Sequence, residues 1–193
     1  GWDQPVYSVV ASALGAGLLF GLDREQLGHA VGIGLASGMA LMQTRYGHIS
    51  NWKNMAGANA ARNAVFAVLL ARNGITGPDA VFDGKGGFFE VVGPFDWALP
   101  STQQQPHRIT RALFKTLPLC YYGQASASAA MALYPRIEGR DIASIQVETF
   151  EASAVYMAGD ESKWAPKSAE SADHSLPFVV AVAQAAAGMD VDR

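Results

Sequence analysis

The chain has 193 residues, half of them apolar, and its 14 Lys and Arg against 17 Asp and Glu give a formal net charge of −3. That length can bury one large or two small cores, while so weak a negative charge offers no field for nucleic acid or an acidic lipid surface. The lone cysteine, Cys120, excludes an intrachain disulfide and a cysteine-rich metal cluster, and it fits a reducing, cytoplasmic setting.

The longest apolar runs, Val9 to Leu22 and Ala30 to Met42, are interrupted by Gly or Ser and are too short to cross a bilayer. Neither an initiator Met nor a targeting segment is visible, and the ends at Gly1-Trp2-Asp3 and Asp192-Arg193 read as cut from a longer chain. From Tyr7 to Phe20 there is no charge, which predicts a helix buried on most sides, with Gly21 as its stop. Asp23 and Gln26 then have the spacing of a capping box, and Leu22 and Leu27 that of a hydrophobic staple. The helix they open is expected to run to about Gln43, its Gly28, Gly32, Gly34 and Gly38 letting neighbouring backbones approach closely.

Between this helix and the next lies Arg45-Tyr46-Gly47-His48-Ile49-Ser50-Asn51-Trp52-Lys53, a loop that gathers polar and cationic groups between two nearly uncharged segments. Ligand-contacting groups favour such loops on a rigid scaffold. Lys53 is the first candidate, because an ammonium beside the Trp52 indole is partly desolvated, which lowers a lysine pKa toward the range useful for proton transfer. Met55 to Arg72 reads as a third helix, with Ala58, Ala61, Val65 and Val68 on one stripe and Phe66, Leu69 and Leu70 beside it; Asn73-Gly74 ends it and Pro78 confirms the break. Three long helices with short joints make a bundle. Asp83-Gly84-Lys85-Gly86-Gly87-Phe88 lacks the spacing of a phosphate-binding loop and reads as a tight turn before a short helix, Phe88 to Val92.

Pro94, Pro100, Pro106 and Gln103-Gln104-Gln105 read as a linker or crossover. Beyond it, the alternation from Ile109 to Lys115 predicts a strand ending near Pro118, Gly123 to Leu133 a helix stopped by Pro135, and Ile142 to Phe150 a second strand. Asp173 to Ala187 holds a last helix that accommodates Pro177 in its first turn and closes at Gly188. The pattern predicts a multi-domain chain: part of an all-α helical bundle over 1–98, then part of a smaller α+β domain over 99–193.

Among groups fit for chemistry, His29 sits within a helix and reads as a core residue, while His48 and His107 are in loops without partners at metal spacing, so no metal site is expected. His174 lies in Ser171-Ala172-Asp173-His174-Ser175-Leu176-Pro177, where Asp173 could orient its ring and a helix start favours anionic ligands. Lys115 is expected at a strand end; paired in space with Lys53 it would form a dication that binds carboxylates. Lys163-Trp164-Ala165-Pro166 adds a further cationic loop, and no signature marks Cys120 as a nucleophile.

Taken in order, Leu22-Asp23-Arg24-Glu25-Gln26-Leu27 with His29-Ala30-Val31-Gly32, the Arg45 to Lys53 run, Gly77-Pro78 and Phe82 to Phe88 resemble the 2-methylcitrate dehydratase (MmgE/PrpD) family, which also contains cis-aconitate decarboxylase and iminodisuccinate epimerase. The likeness continues through Phe114-Lys115-Thr116-Leu117-Pro118, Lys163 to Pro166 and Ala172 to Pro177. It implies an all-helical domain with a lid-like α+β domain, an active site in the cleft between them, homodimers, and cofactor-free lyase chemistry on small polycarboxylates. Lys53 and Lys115 match family active-site lysines, and His174 falls in the family's motif near the cleft. The Trp52-Lys53 order looks closer to the dehydratase branch, so the implied reaction is loss of water from a hydroxy-tricarboxylate. Within it Lys53 and Lys115 would anchor carboxylates, His174 or a lysine would act as acid/base, Tyr122 would donate a proton, and Arg45, Trp52, Asp173 and Lys163 would line the substrate. Decarboxylation, epimerisation or non-catalytic binding of polycarboxylates are the alternatives. The chain departs from relatives at Cys120-Tyr121-Tyr122-Gly123-Gln124, where many have a His, at Trp2-Asp3, where a Trp-His pair is common, and at Phe178, often a Tyr.

Overall fold

Pro5, which needs no hydrogen-bond acceptor in a first turn, opens helix α1 (Pro5–Leu19), and Gly21 at φ +72° turns the chain out of it. The computed structural model describes residues 1–93, 95 and 108–186; Pro94, Pro100, Pro106, the glutamine run, His107 and Gly188 lie outside the described residues. The expected capping box forms at α2 (Arg24–Ala36): Asp23 accepts from Gln26 N–H at 2.8 Å, and the Gln26 side chain accepts from Asp23 N–H at 3.2 Å. Leu22 and Leu27 both pack where Gly17 leaves room, which is the staple. α2 stops seven residues short of Gln43, because the Ser37 hydroxyl bonds back to Gly34 O (3.2 Å) and Gly38 follows; a 3-10 turn, Met42–Arg45, comes later.

Helix α3 (Trp52–Arg72) begins three residues earlier than its apolar pattern indicates, so Trp52 and Lys53 are helical. Its Asn51 makes no side-chain cap, and the usual start signal is therefore missing. The buried stripe also differs from the expected one: Ala56, Ala60, Ala64, Ala67, Val68 and Ala71 face inward, whereas Phe66 is 62% exposed. Small side chains let α3 come close to α1 and α2, so alanines rather than the bulkier residues occupy the seam. Val6, Ala13, Leu22, Ala30, Leu35, Ala64 and Val68 form the core of this bundle. A glycine turn with Gly86 at φ +75° leads as expected into α4 (Phe88–Val92).

The second half forms α5 (Gln124–Ile137), α6 (Glu151–Ala158), α7 (Glu161–Trp164), α8 (Ala169–Ala172) and α9 (Leu176–Ala186). Pro135 lies inside α5 rather than stopping it, its missing N–H falling near the helix end. Pro177 takes the first turn of α9, as its fixed φ allows. Ala127 and Ala130 of α5 pack with Met157 and with Leu176, Val179, Val180 and Ala183 to make a second core. The two expected strands are not formed. Arg108–Arg111 is a 3-10 turn, residues 141–150 are irregular, and Ile109 and Leu113 are 80% and 74% exposed. Alternation supplies a strand's faces, but a strand also needs a neighbour's backbone. Among the described residues the only β pairing is an isolated bridge, Trp2 with Leu41. The α+β expectation is thus corrected to helices joined by irregular chain.

The chain divides into two compact units, Gly1–Tyr46 with Asn51–Gln103 and Gly47–Ser50 with Gln104–Arg193. Four residues of the Arg45 to Lys53 run therefore belong with the second unit. No helix among the described residues is long and apolar enough to cross a membrane.

Candidate active site

In the first unit, Arg45 ends its 3-10 turn and its Nε donates to Asp3 Oδ1 at 2.5 Å. Asp3 is 1% exposed; its Oδ1 also accepts Gln4 N–H at 2.7 Å, and its Oδ2 is buried with no hydrogen-bond partner among the described residues. The carboxylate at the Trp2-Asp3 departure thus holds the guanidinium that the sequence nominates. Trp52 is 54% exposed and lines a cavity of about 290 Å³ together with Val6, Val9, Leu41, Asn59 and Asn63. Lys53 is half-buried in the first turn of α3, a helix start with no side-chain cap and no acidic residue. Its ammonium and the helix dipole both favour a bound anion there.

In the second unit, His174 is 13% exposed and its Nδ1 lies 2.9 Å from the carbonyl oxygen of Glu170, with the Glu170 carboxylate at 3.6 Å. A carbonyl only accepts, so Nδ1 carries a hydrogen, and a neutral ring would then have its lone pair on Nε2. Glu170 is itself buried. Asp173, next to the histidine, accepts Cys120 N–H on its carbonyl at 2.9 Å. Tyr122 is stacked on Tyr156 (5.8 Å, 24°) and meets Phe150 edge-on at 5.7 Å. Lys115 is exposed, immediately before a loop whose Thr116 and Leu117 bond the Gln124 side chain.

Lys163 is 2% exposed, and its Nζ donates to Gly47 O at 3.4 Å. Ser168 and Ser171 each donate to Ile49 O at 3.3 Å, so α7 and α8 hold the segment that leads into Asn51, Trp52 and Lys53. Asp160 caps α7, and its carboxyl is held below the usual carboxylate range. The Ser162 hydroxyl is the largest cause, against slight burial, with the Ser162 N–H and the charges of Lys163 and His48 adding to it. The second unit contains Lys115, Tyr122, Asp173, His174 and Lys163, and the first Arg45, Trp52 and Lys53.

Sequence reasoning gave no structural role to three residues: Asp3, Glu170 and Gln124. Glu170 and His174 are four apart, a spacing at which side chains on one helical turn meet, and that signal was readable. Asp3 meets Arg45 across 42 positions and left no local mark.

Comparison with known proteins bears on both units. Residues 1–98 match the MmgE/PrpD N-terminal domain and residues 117–192 the MmgE/PrpD C-terminal domain. The 2-methylcitrate dehydratase of Salmonella typhimurium is 25% identical over 187 residues, 94% of this chain and 39% of the relative. That of Cupriavidus necator is 29% identical over 194 residues, with the same two shares, 94% and 39%. The cis-aconitate decarboxylase-like protein oryM of Aspergillus oryzae is 36% identical over 117 residues, 60% of this chain and 23% of that protein. The chain thus spans about two fifths of the length of these dehydratases, and less of the decarboxylase-like protein.

Proposed function

Since this chain belongs to the MmgE/PrpD family, we propose that it is part of a cofactor-independent lyase of the 2-methylcitrate dehydratase type, which removes water from a small hydroxy-tricarboxylate. The reaction takes a weakly acidic proton from a carbon beside a carboxylate and expels hydroxide from the neighbouring carbon. The C–H electron pair becomes the double bond, the C–O bond breaks, and the departing oxygen leaves as water once protonated. Cations are needed at the carboxylates to hold the developing negative charge. Lys53 and Lys115 take that part in our reading, with Arg45, Trp52, Asp173 and Lys163 shaping the surroundings. His174 accepts the carbon proton at Nε2, and Tyr122 protonates the leaving hydroxide, each step contributing on the order of 10² to 10⁴-fold.

The observation that supports the reading is the His174 to Glu170 carbonyl bond, which puts a hydrogen on Nδ1 and would make Nε2 the basic nitrogen of a neutral ring, in a chain that offers two candidate anchoring lysines. The resemblance to oryM favours a second reading, loss of CO₂ from an unsaturated tricarboxylate. Incubating the complete enzyme with 2-methylcitrate, citrate and cis-aconitate separates them. A dehydratase forms an unsaturated product from the hydroxy acids without releasing CO₂, and a decarboxylase releases CO₂ from cis-aconitate. Exchange of solvent deuterium without elimination would point to epimerisation, and binding without turnover would leave a polycarboxylate-binding protein. We read the working form as a cytoplasmic homodimer: Leu14 and Leu18 of α1 and Phe66 of α3 are apolar and exposed, as a surface awaiting a second copy would be.

A further inference from the structure

Deepening the lyase reading, on which it rests, we propose that Gln124 is a positioning residue for Lys115, its side-chain amide clamping the loop that fixes where the ammonium is presented. Gln124 is the first residue of α5, a helix anchored in the second core by Ala127 and Ala130. Its Oε1 accepts from Thr116 N–H at 3.1 Å, from the Thr116 hydroxyl at 3.2 Å and from Leu117 N–H at 3.0 Å. Its Nε2 donates to Leu117 O at 2.9 Å and to Leu119 O at 3.3 Å. Both ends of one amide are thereby used on one loop, and that loop contains Pro118, which has no N–H of its own.

The far end of the loop has a second fastening, Cys120 N–H on the carbonyl of Asp173, the residue before His174. Upstream the chain is held far less: Leu113 and Phe114 are 74% and 87% exposed, and residues 112–115 adopt no regular structure. The peptide joining Lys115 to Thr116 therefore takes its orientation from the Gln124 side. Only a primary amide places an acceptor and two donors at one end of a side chain of this length. A glutamate there would keep the acceptor bonds and set its second oxygen against the Leu117 and Leu119 carbonyls; a methionine would make none of the five bonds.

The test compares wild type, Gln124→Met, Gln124→Glu, Lys115→Ala and the Gln124→Met/Lys115→Ala double variant of the complete enzyme. Two things are read: turnover of whichever of citrate, 2-methylcitrate and cis-aconitate reacts fastest, and hydrogen exchange at the Thr116 and Leu117 amides. Gln124→Met should speed exchange at those two amides at least tenfold while the amides of α5 and α9 keep their protection. It should lower turnover at least tenfold alone and cause no further loss once Lys115 is gone. Gln124→Glu should lie between, and it serves alone if the methionine variant does not fold. Unchanged exchange at Thr116 and Leu117, or an equal loss with and without Lys115, overturns the proposal. Full turnover by Lys115→Ala overturns the reading beneath it and the proposal with it, and the exchange measurement tells the two failures apart.

Discussion

At the scale of single residues, candidates for the chemistry could be nominated from the sequence, but their partners could not. Lys53, Lys115 and His174 stand out by type and neighbourhood, whereas the Glu170 carbonyl that selects the His174 tautomer and the Asp3 carboxylate that holds Arg45 become visible only after folding. Asp3 illustrates why such partners matter energetically. A carboxylate 1% exposed is tolerated because Arg45, itself 27% exposed, compensates its charge. Arg45→Ala should therefore cost roughly 2 kcal/mol, less than a fully buried pair because the guanidinium is partly solvated. Urea unfolding measures it, and a midpoint unchanged from wild type would show that the pair contributes nothing.

Elements whose signals are local were legible, and those that depend on a distant partner were not. The Asp23-Gln26 box, the Gly21 stop and Pro177 in the first turn of α9 each rest on residues within one helical turn, and all three form. The strands at 109–115 and 142–150 failed because alternation says nothing about whether a neighbouring strand exists, and the early start of α3 at Trp52 was missed because Asn51 makes no side-chain cap to mark it. Gly32 in α2 shows packing reversing a propensity. In a free helix Gly→Ala gains about 1 kcal/mol. Here an added Cβ would sit 2.7 Å from Pro78 O and 3.2 Å from Pro78 N, backbone atoms that cannot step aside. Gly32→Ala should instead destabilise by about 1 to 2 kcal/mol and lower the melting temperature by several degrees. A raised melting temperature would mean that the Gly77-Pro78 turn yields freely.

Asp160 belongs at this scale too, since its work is to cap α7. Its folded pKa is depressed, so its contribution is fully present above the unfolded carboxylate value and is lost as pH falls through the lower folded value. Asp160→Ala should cost about 0.5 to 1 kcal/mol at neutral pH, modest because the group is exposed. The gap from wild type should close below about pH 4. Unfolding curves at pH 7 and pH 3 check this; a gap that widens in acid would contradict the assigned cause.

For the whole molecule, two separate cores account for the division into two units, and each unit contributes lysine to the proposed chemistry. The helical character of the first unit was readable because its long uncharged runs are punctuated by Gly21, the Asp23-Gln26 box and Asn73-Gly74; the return of Gly47–Ser50 to the second unit was not, since it depends on Lys163, Ser168 and Ser171 more than a hundred positions away. In the proposed chemistry that return matters because Trp52 and Lys53 follow it directly along the chain. The central claim is that Lys53 and Lys115 act on the carboxylates of one substrate. Its most direct test is formation of the unsaturated acid from 2-methylcitrate or citrate by the complete enzyme, comparing wild type with Lys53→Ala and Lys115→Ala. Each variant should lose at least a hundredfold in turnover while unfolding at the wild-type temperature, and near-normal product formation by either would contradict the account.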